Sequence, residues 1–185
     1  MEVKNINVKK LHNLVLLGFI ATFLLLSSCS PALATKPETI TFVEGLSEVT
    51  VIDTRFAGVN RIVEMERTGP ITGDITGDFT AQCKYVYHNE KSGIMKMATV
   101  QVDYQIDGTY VDESGTLFSG TLFLQFNFKI IPEDPTAPTY TGNWAITRGL
   151  GDLANLHGQG IFTMVHNPGE SSIRLFDGQV HFDPK

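Results

Sequence analysis

The feature that most constrains this chain is a period-two alternation of apolar and polar residues, which replaces helical periodicity almost everywhere after residue 40. From Ile71 to Tyr87 the odd positions are apolar or small, and the even positions are mostly Thr, Asp, Gln or Lys. A second alternating segment runs from Leu117 to Ile130. Because side chains of a strand point alternately to its two faces, this pattern indicates antiparallel strands with one buried face.

Turn-forming residues divide this alternation into separate strands. Polar and glycine-bearing segments interrupt it at 88–93 and 107–115, and three prolines between 132 and 138 exclude a central strand there. Several strands exceed ten residues, and long strands with one apolar face each close most readily into a barrel. We therefore predict an all-β fold, a single eight-stranded antiparallel β-barrel. Its predicted strands are 48–56, 60–68, 71–88, 94–107, 115–131, 139–148, 156–166 and 172–182.

The N-terminus carries an export signal. Three lysines precede an uncharged apolar run from Leu14 to Leu26, which is too short to span a bilayer core of roughly 30 Å as a helix. The next residues complete a Leu-Ser-Ser-Cys sequence at 26–29, which resembles the lipobox of prokaryotic lipoproteins. The resemblance implies a signal peptide at 1–28, a lipidated Cys29, a tether at 29–45 and a barrel domain at 46–185. It also implies an extracytoplasmic protein, lipid-anchored in the cell membrane or the outer membrane.

A second cleavage site competes with the lipobox. The Ala-Leu-Ala sequence at 32–34 suits an ordinary signal peptidase, and cleavage after Ala34 would release a secreted or periplasmic protein. With Cys29 lipidated or removed, Cys83 has no second cysteine within the chain. Because Cys83 falls on the apolar face of a predicted strand, we expect a buried and inert thiol.

The sequence contains no convincing catalytic or metal-binding motif. The histidines lack the spacing of metal ligands, and the pair that could meet across the last predicted hairpin is His166 and His181. Paired carboxylates perform acid–base chemistry only when burial separates their pKa values, so Glu64 is a catalytic candidate only if it faces inward. The net charge of −6 and the absence of a basic cluster argue against a nucleic-acid partner. We predict no cofactor and no metal.

A glycine-rich segment in the last third carries a resemblance to a known family. It contains Gly142-Asn143-Trp144, then Gly149-Leu150-Gly151, and ends in Gly158-Gln159-Gly160. It resembles a family of uncharacterised bacterial barrel proteins, catalogued as a domain of unknown function. That family is similar to the allene oxide cyclase-like barrels, which in turn resemble dirigent proteins and lipocalins. The resemblance covers 48–182 and implies an eight-stranded, calycin-like barrel with an apolar cavity, but no catalytic residue is carried over.

The inward faces of the predicted strands combine aromatic residues with glycines, which withhold side-chain volume. This favours a cavity for one small hydrophobic or amphipathic molecule over a filled core. Three functions stay open, namely a membrane-anchored binding protein, a cyclase- or isomerase-type enzyme, and a filled-core structural or interaction lipoprotein. A homo-oligomer is possible in each case. The predicted ligand-binding residues are Tyr85, Tyr104, Phe118, Leu122, Phe126, Trp144, Arg148 and Phe162. Arg148, near a strand end, suits either a ligand carboxylate or a surface ion pair.

Overall fold

The structure, a computed structural model, describes residues 36–90, 97–131, 139–165 and 172–183. These residues form nine β-strands, all paired antiparallel. Each strand from β2 to β8 pairs with the next one along the chain, and β9 pairs with β1. The strands are β1 (Glu38–Glu44), β2 (Glu48–Ala57), β3 (Asn60–Gly73), β4 (Ile75–His88), β5 (Met97–Val111), β6 (Leu117–Ile130), β7 (Thr139–Gly151), β8 (Leu156–Val165) and β9 (Ile173–Phe182).

The sheet curls into a ring because β3 has two partners along one edge. The first part of β3 pairs with β2, whereas its end pairs with β1 over Ile71–Gly73. The other edge of β1 pairs with β9, which closes the ring. Consequently β1 and β2 follow one another along the same edge of β3, separated by a short connection at 45–47.

The all-β class is confirmed, but the strands are nine rather than eight. The additional strand is β1, whose residues lie in the segment 29–45 that the sequence assigned to a tether. The predicted strand 71–88 is also divided, because β3 ends at Gly73 and β4 begins at Ile75. Gly73 has a φ of +127°, and a Cβ there would lie 2.5 Å from the Thr41 carbonyl oxygen of β1. The alternation conceals this turn because Ile71 and Ile75 are both buried on the inner side.

Aromatic side chains fill the middle of the ring. Phe42 stacks on Phe176 with ring centroids 4.6 Å apart, and Phe126 lies 4.6 Å from Phe162. The indole Nε1 of Trp144 donates a hydrogen bond to a backbone carbonyl oxygen of β9 at 3.1 Å. Burying each such side chain contributes about 1.5–3 kcal/mol to stability. The central cross-section is therefore a packed core.

Inward-facing glycines leave room for neighbouring backbone and for the Trp144 ring in this core. A Cβ on Gly178 would lie 2.4 Å from the Trp144 ring, and a Cβ on Gly160 would lie 2.0 Å from the Asp177 carbonyl oxygen. A row of paired glycines also crosses four strands, from β4 to β7, where a Cβ would meet the backbone of a neighbouring strand. The volume that these glycines withhold is thus occupied by the indole ring and by adjacent strands. The row consists of Gly77, Gly108, Gly120 and Gly151.

The N-terminal predictions lie outside the described residues. The signal peptide at 1–28, the lipidated Cys29 and the alternative cleavage after Ala34 all precede residue 36, and they remain predictions. His166 also falls in a segment that is not described. In the part of the chain that the structure describes, no helix has the length and apolar character needed to cross a bilayer.

Candidate functional site

One end of the ring presents inward-facing apolar side chains that are only partly buried. At this end β4, β6 and β8 finish and β5, β7 and β9 begin. Met65, Tyr85, Ile130 and Tyr140 pack against the core there and keep part of their surface exposed. Cross-strand partners share a face of the sheet, and the partners of these residues are buried inner-face residues. We call this end, defined by these four side chains, the mouth.

Strand β2 extends the mouth outward. Val49 pairs with Arg67 and Val51 pairs with Met65, so these valines lie on the inner face of the sheet. A bulge after Val51 shifts the alternation by one residue, so that Phe56 lies on that face as well. Val49, Val51 and Phe56 are 54%, 58% and 56% exposed, and we call this apolar surface the shelf.

The second edge of β2 has no strand partner among the described residues. An unpaired strand edge can accept a strand of another chain. The predicted homo-oligomer remains a prediction.

A buried cluster of charged residues lies on the inner side of the ring beside the mouth. Glu44 ends β1, Arg67 lies within β3, and Arg174 is near the start of β9. The side chains of Arg67 and Glu44 are 3% and 0% exposed. Glu44 Oε1 accepts hydrogen bonds from Arg67 Nη2 and from Arg174 Nη1, the second at 2.9 Å. Glu44 Oε2 accepts a hydrogen bond from the Tyr104 hydroxyl at 3.1 Å. We call Glu44, Arg67, Arg174 and Tyr104 the arginine cluster.

The arginine cluster contains one positive charge in excess. Two guanidinium groups share one carboxylate, and the described residues supply no second carboxylate within ion-pair distance of either. Arg67 Nη2 also donates to Ser47 Oγ at 3.0 Å, but the buried Nε of Arg67 has no hydrogen-bond partner in the described part of the chain. A buried donor without an acceptor costs about 1–3 kcal/mol. Burial, followed by the charge of Arg174, lowers the pKa of Arg67, although a guanidinium remains protonated at neutral pH.

The sequence prediction missed all three charged members of this cluster. Glu44 was assigned to the tether, and Arg67 and Arg174 were not considered as site residues. A signal was nevertheless available in strand parity, because Arg67 alternates in phase with the core-facing Val63. Arg174 likewise alternates in phase with Phe176. A charged residue at an inward position of a strand requires a partner inside the fold, and Glu44 supplies it.

The eight residues predicted to bind a ligand lie in four different places. Tyr85 is at the mouth, whereas Phe118 is at the opposite end of the ring, 4.6 Å from Phe182. Arg148 is on the outer face, with its guanidinium carbon 4.2 Å from the centre of the Phe123 ring. A bulge in β7 causes this reversal, because Phe123 pairs with Arg148 but the next residue of β6 pairs with Ile146. The remaining five are buried in the core, namely Tyr104, Leu122, Phe126, Trp144 and Phe162.

Glu44 is the buried inward carboxylate of the described residues, whereas the sequence-based candidates for acid–base and metal chemistry lie elsewhere. Glu64 faces outward and forms an ion pair with Arg55 at 2.7 Å, so it is not the inward carboxylate that catalysis would require. His181 pairs with His157 across β8 and β9. The described residues contain no group of three side chains arranged to hold a metal ion. Cys83 is buried as expected, and burial raises the pKa of its thiol, which favours the unreactive protonated form.

Comparisons with known proteins identify a fold relative. No protein-family model matches this chain, and no curated protein sequence matches it. Among solved structures, the chain is similar to a protein of unknown function from the DUF3224 family of Shewanella oneidensis MR-1. The TM-score is 0.55 at 13% sequence identity, and the match covers 82% of this chain and 99% of that chain. At this identity the likeness shows a shared fold alone. A family of unknown function is consistent with the resemblance that the sequence suggested.

Proposed function

We propose that the protein is an exported binding protein that holds a small hydrophobic or amphipathic molecule at the mouth of its ring. The observation that carries this proposal is the partly exposed apolar inner surface formed by the mouth and the adjoining shelf. Contiguous exposed apolar surface on a folded domain commonly marks a site of interaction. A ligand there would gain about 25 cal/mol for each Å² of apolar surface removed from water.

The packed centre of the ring determines where such a ligand would sit. Because aromatic rings fill the middle, the proposed site occupies the mouth end and does not run through the ring. This arrangement favours binding over the cyclase or isomerase alternative, since Glu64 faces solvent and the buried carboxylate of Glu44 is already bound by two arginines and by the Tyr104 hydroxyl. The filled-core structural alternative predicts no ligand at all, and the same experiment separates the two.

We further infer that the ring is equivalent to an eight-stranded, calycin-like barrel of the allene oxide cyclase-like type. The nine strands reduce to eight positions when β1 and β2 are counted together. Their pairing supports this equivalence, because the two strands follow one another along a single edge of β3.

The anchor is a separate proposal, in which Cys29 is lipidated and attaches the domain to a membrane outside the cytoplasm. Replacing Cys29 with serine is expected to move the protein from the membrane fraction to the aqueous fraction, because the acyl chains would be lost. Fractionation followed by immunoblotting measures this. Unchanged membrane association of Cys29→Ser, or a mature N-terminus at Thr35, would contradict the anchor.

A neutral apolar fluorophore tests the binding proposal without involving charge. We expect the purified full-length chain to bind N-phenyl-1-naphthylamine saturably, with one probe per chain. Val51→Asn, on the shelf, should weaken binding about tenfold because an apolar contact is lost. Ile161→Asn is the matched control, since Ile161 is 56% exposed, like Val51, but lies on the outer face.

Two results would contradict the binding proposal. One is the absence of saturable fluorescence enhancement with the unmodified chain. The other is an equal loss of affinity in Val51→Asn and Ile161→Asn, which would mean that the probe adsorbs to exposed apolar residues generally.

A further inference from the structure

The ligand of the mouth has a definable chemistry. We propose that it carries a single carboxylate, which binds the free Nε–H of Arg67 and the guanidinium of Arg174, so that the ligand is an amphipathic, fatty-acid-like molecule. This inference rests on the proposed function and specifies its ligand class. It concerns residues that are distinct from the apolar contacts of the mouth and the shelf.

The charge of the arginine cluster selects an anion of one charge. Arg67 and Arg174 contribute two positive charges, and Glu44 contributes one negative charge. Burying an uncompensated charge is costly, so an anion that enters the cluster relieves that cost. One excess charge matches a carboxylate, whereas a dianionic phosphate would leave an uncompensated negative charge in the same place.

The guanidinium of Arg67 is held in a fixed orientation by its hydrogen-bond partners. Its Nη2 is engaged by Glu44 and by Ser47, which hold the guanidinium in one orientation. The Nε–H has no oxygen or nitrogen acceptor among the described residues, and the neighbouring Cys83 thiol is only a weak partner for this guanidinium, so a carboxylate would be the stronger acceptor. Burial raises the pKa of Tyr104, so its phenol stays protonated and continues to donate to Glu44. These contacts hold Glu44 in its place. An incoming carboxylate first meets Arg174, whose side chain is 16% exposed, and reaches the buried Nε–H of Arg67 only when neighbouring side chains move aside.

The arginine cluster adjoins the apolar surfaces that would hold the rest of the molecule. Arg67 pairs with Val49 of the shelf, and it is two residues from Met65 of the mouth on the same face of β3. Arg174 pairs with Met164 of β8, and its side chain is 16% exposed. A linear amphiphile could thus place its carboxylate on the arginines while its hydrocarbon chain covers the mouth and the shelf.

Competition between two ligands that differ only in the head group tests this inference. Dodecanoate and dodecan-1-ol would each be titrated against N-phenyl-1-naphthylamine bound to the full-length chain. We expect dodecanoate to displace the probe at a concentration at least about tenfold lower, because charge-assisted hydrogen bonds add to the same apolar contacts. Arg174→Gln should reduce this preference to less than about threefold, and Arg148→Gln, an exposed arginine of the outer face, should leave it unchanged.

Dodecyl phosphate and Arg67→Lys refine the test. Dodecanoate should compete better than dodecyl phosphate, and Arg67→Lys should lose most of the carboxylate preference because lysine keeps the charge but lacks the Nε–H. Should Arg67→Lys fail to fold, Arg174→Gln still decides.

Equal competition by dodecanoate and dodecanol, or a preference that survives Arg174→Gln, would overturn the inference while leaving the proposed function intact. Tighter binding of the phosphate would overturn the assignment to a carboxylate. Failure of the probe itself to bind would instead reject the proposed function.

Discussion

Replacing Gly160 with valine is expected to lower the free energy of unfolding by about 3 kcal/mol or more, enough to unfold a domain of ordinary stability. A Cβ at Gly160 would lie 2.0 Å from the Asp177 carbonyl oxygen and 2.7 Å from Trp144 Nε1. These two atoms form a hydrogen bond with each other. Neither can move freely, because Asp177 belongs to a strand that pairs with β8 and with β1. The substitution therefore separates strands and displaces the largest side chain of the core.

Gln159→Val is the matched control for this prediction. It introduces the same side chain into the same strand one residue away, but Gln159 is exposed on the outer face. Surface changes of this kind usually alter stability by less than about 0.5 kcal/mol. Chemical denaturation followed by circular dichroism measures both variants. Equal stability of Gly160→Val and Gln159→Val would contradict the account of how glycines shape the core.

Replacing Glu44 with alanine is expected to destabilise the fold by about 3–5 kcal/mol, because it leaves two buried guanidinium groups without their shared carboxylate. The Tyr104 hydroxyl would also lose its acceptor. The loss should appear as a lower midpoint of chemical denaturation with an unchanged slope. It should also be smaller when dodecanoate is present, if a ligand carboxylate binds the same arginines.

Glu64→Ala is the control for Glu44→Ala. Glu64 also forms an ion pair with an arginine, Arg55, but its side chain is 37% exposed. Exposed pairs of this kind contribute at most about 1 kcal/mol. If the two variants lost equal stability, the arginine cluster would not be the tightly coupled buried unit that its geometry indicates.

Strand faces were predictable from this sequence because alternation is a local property. The buried set on β5 and β6 follows the predicted inward positions from Val100 to Ile106 and from Leu122 to Phe128. Burial of Cys83 follows from the same parity. Each of these predictions needed only the period of two and the requirement that one face avoid water.

Features that depend on pairing could not be predicted in this way. Arg148 was predicted, from its place near a strand end, as a ligand-binding residue, but the bulge in β7 puts it on the outer face. The turn at Asp74 was not predicted, and 71–88 was treated as one strand, because the alternation continues in phase across the turn. A bulge changes the face on which the following residues lie, and a phase-preserving turn changes the strand with which they pair, while both leave the local pattern almost intact.

The charged members of the candidate site were missed for a related reason. Glu44, Arg67 and Arg174 lie in β1, β3 and β9, far apart in the chain, and they meet only because β1 pairs with both β3 and β9. The sequence prediction instead selected aromatic residues as ligand contacts, and the structure places most of them, such as Phe126, in the packed core. An inward-facing arginine is the stronger indication of a site, because a buried charge needs a specific partner whereas an aromatic side chain only needs space.

Methyl NMR of the full-length chain labelled with ¹³C at its methionine methyl groups would test the central claim most directly. Met65 belongs to the mouth and Met164 pairs with Arg174, whereas Met97 alternates with the buried, inward Ala98 and faces outward. On titration with dodecanoate, the account predicts saturable shifts of the Met65 and Met164 resonances with no change at Met97. Unperturbed Met65 and Met164 resonances at saturating dodecanoate, or equal shifts at all three methionines, would contradict a ligand site at the mouth.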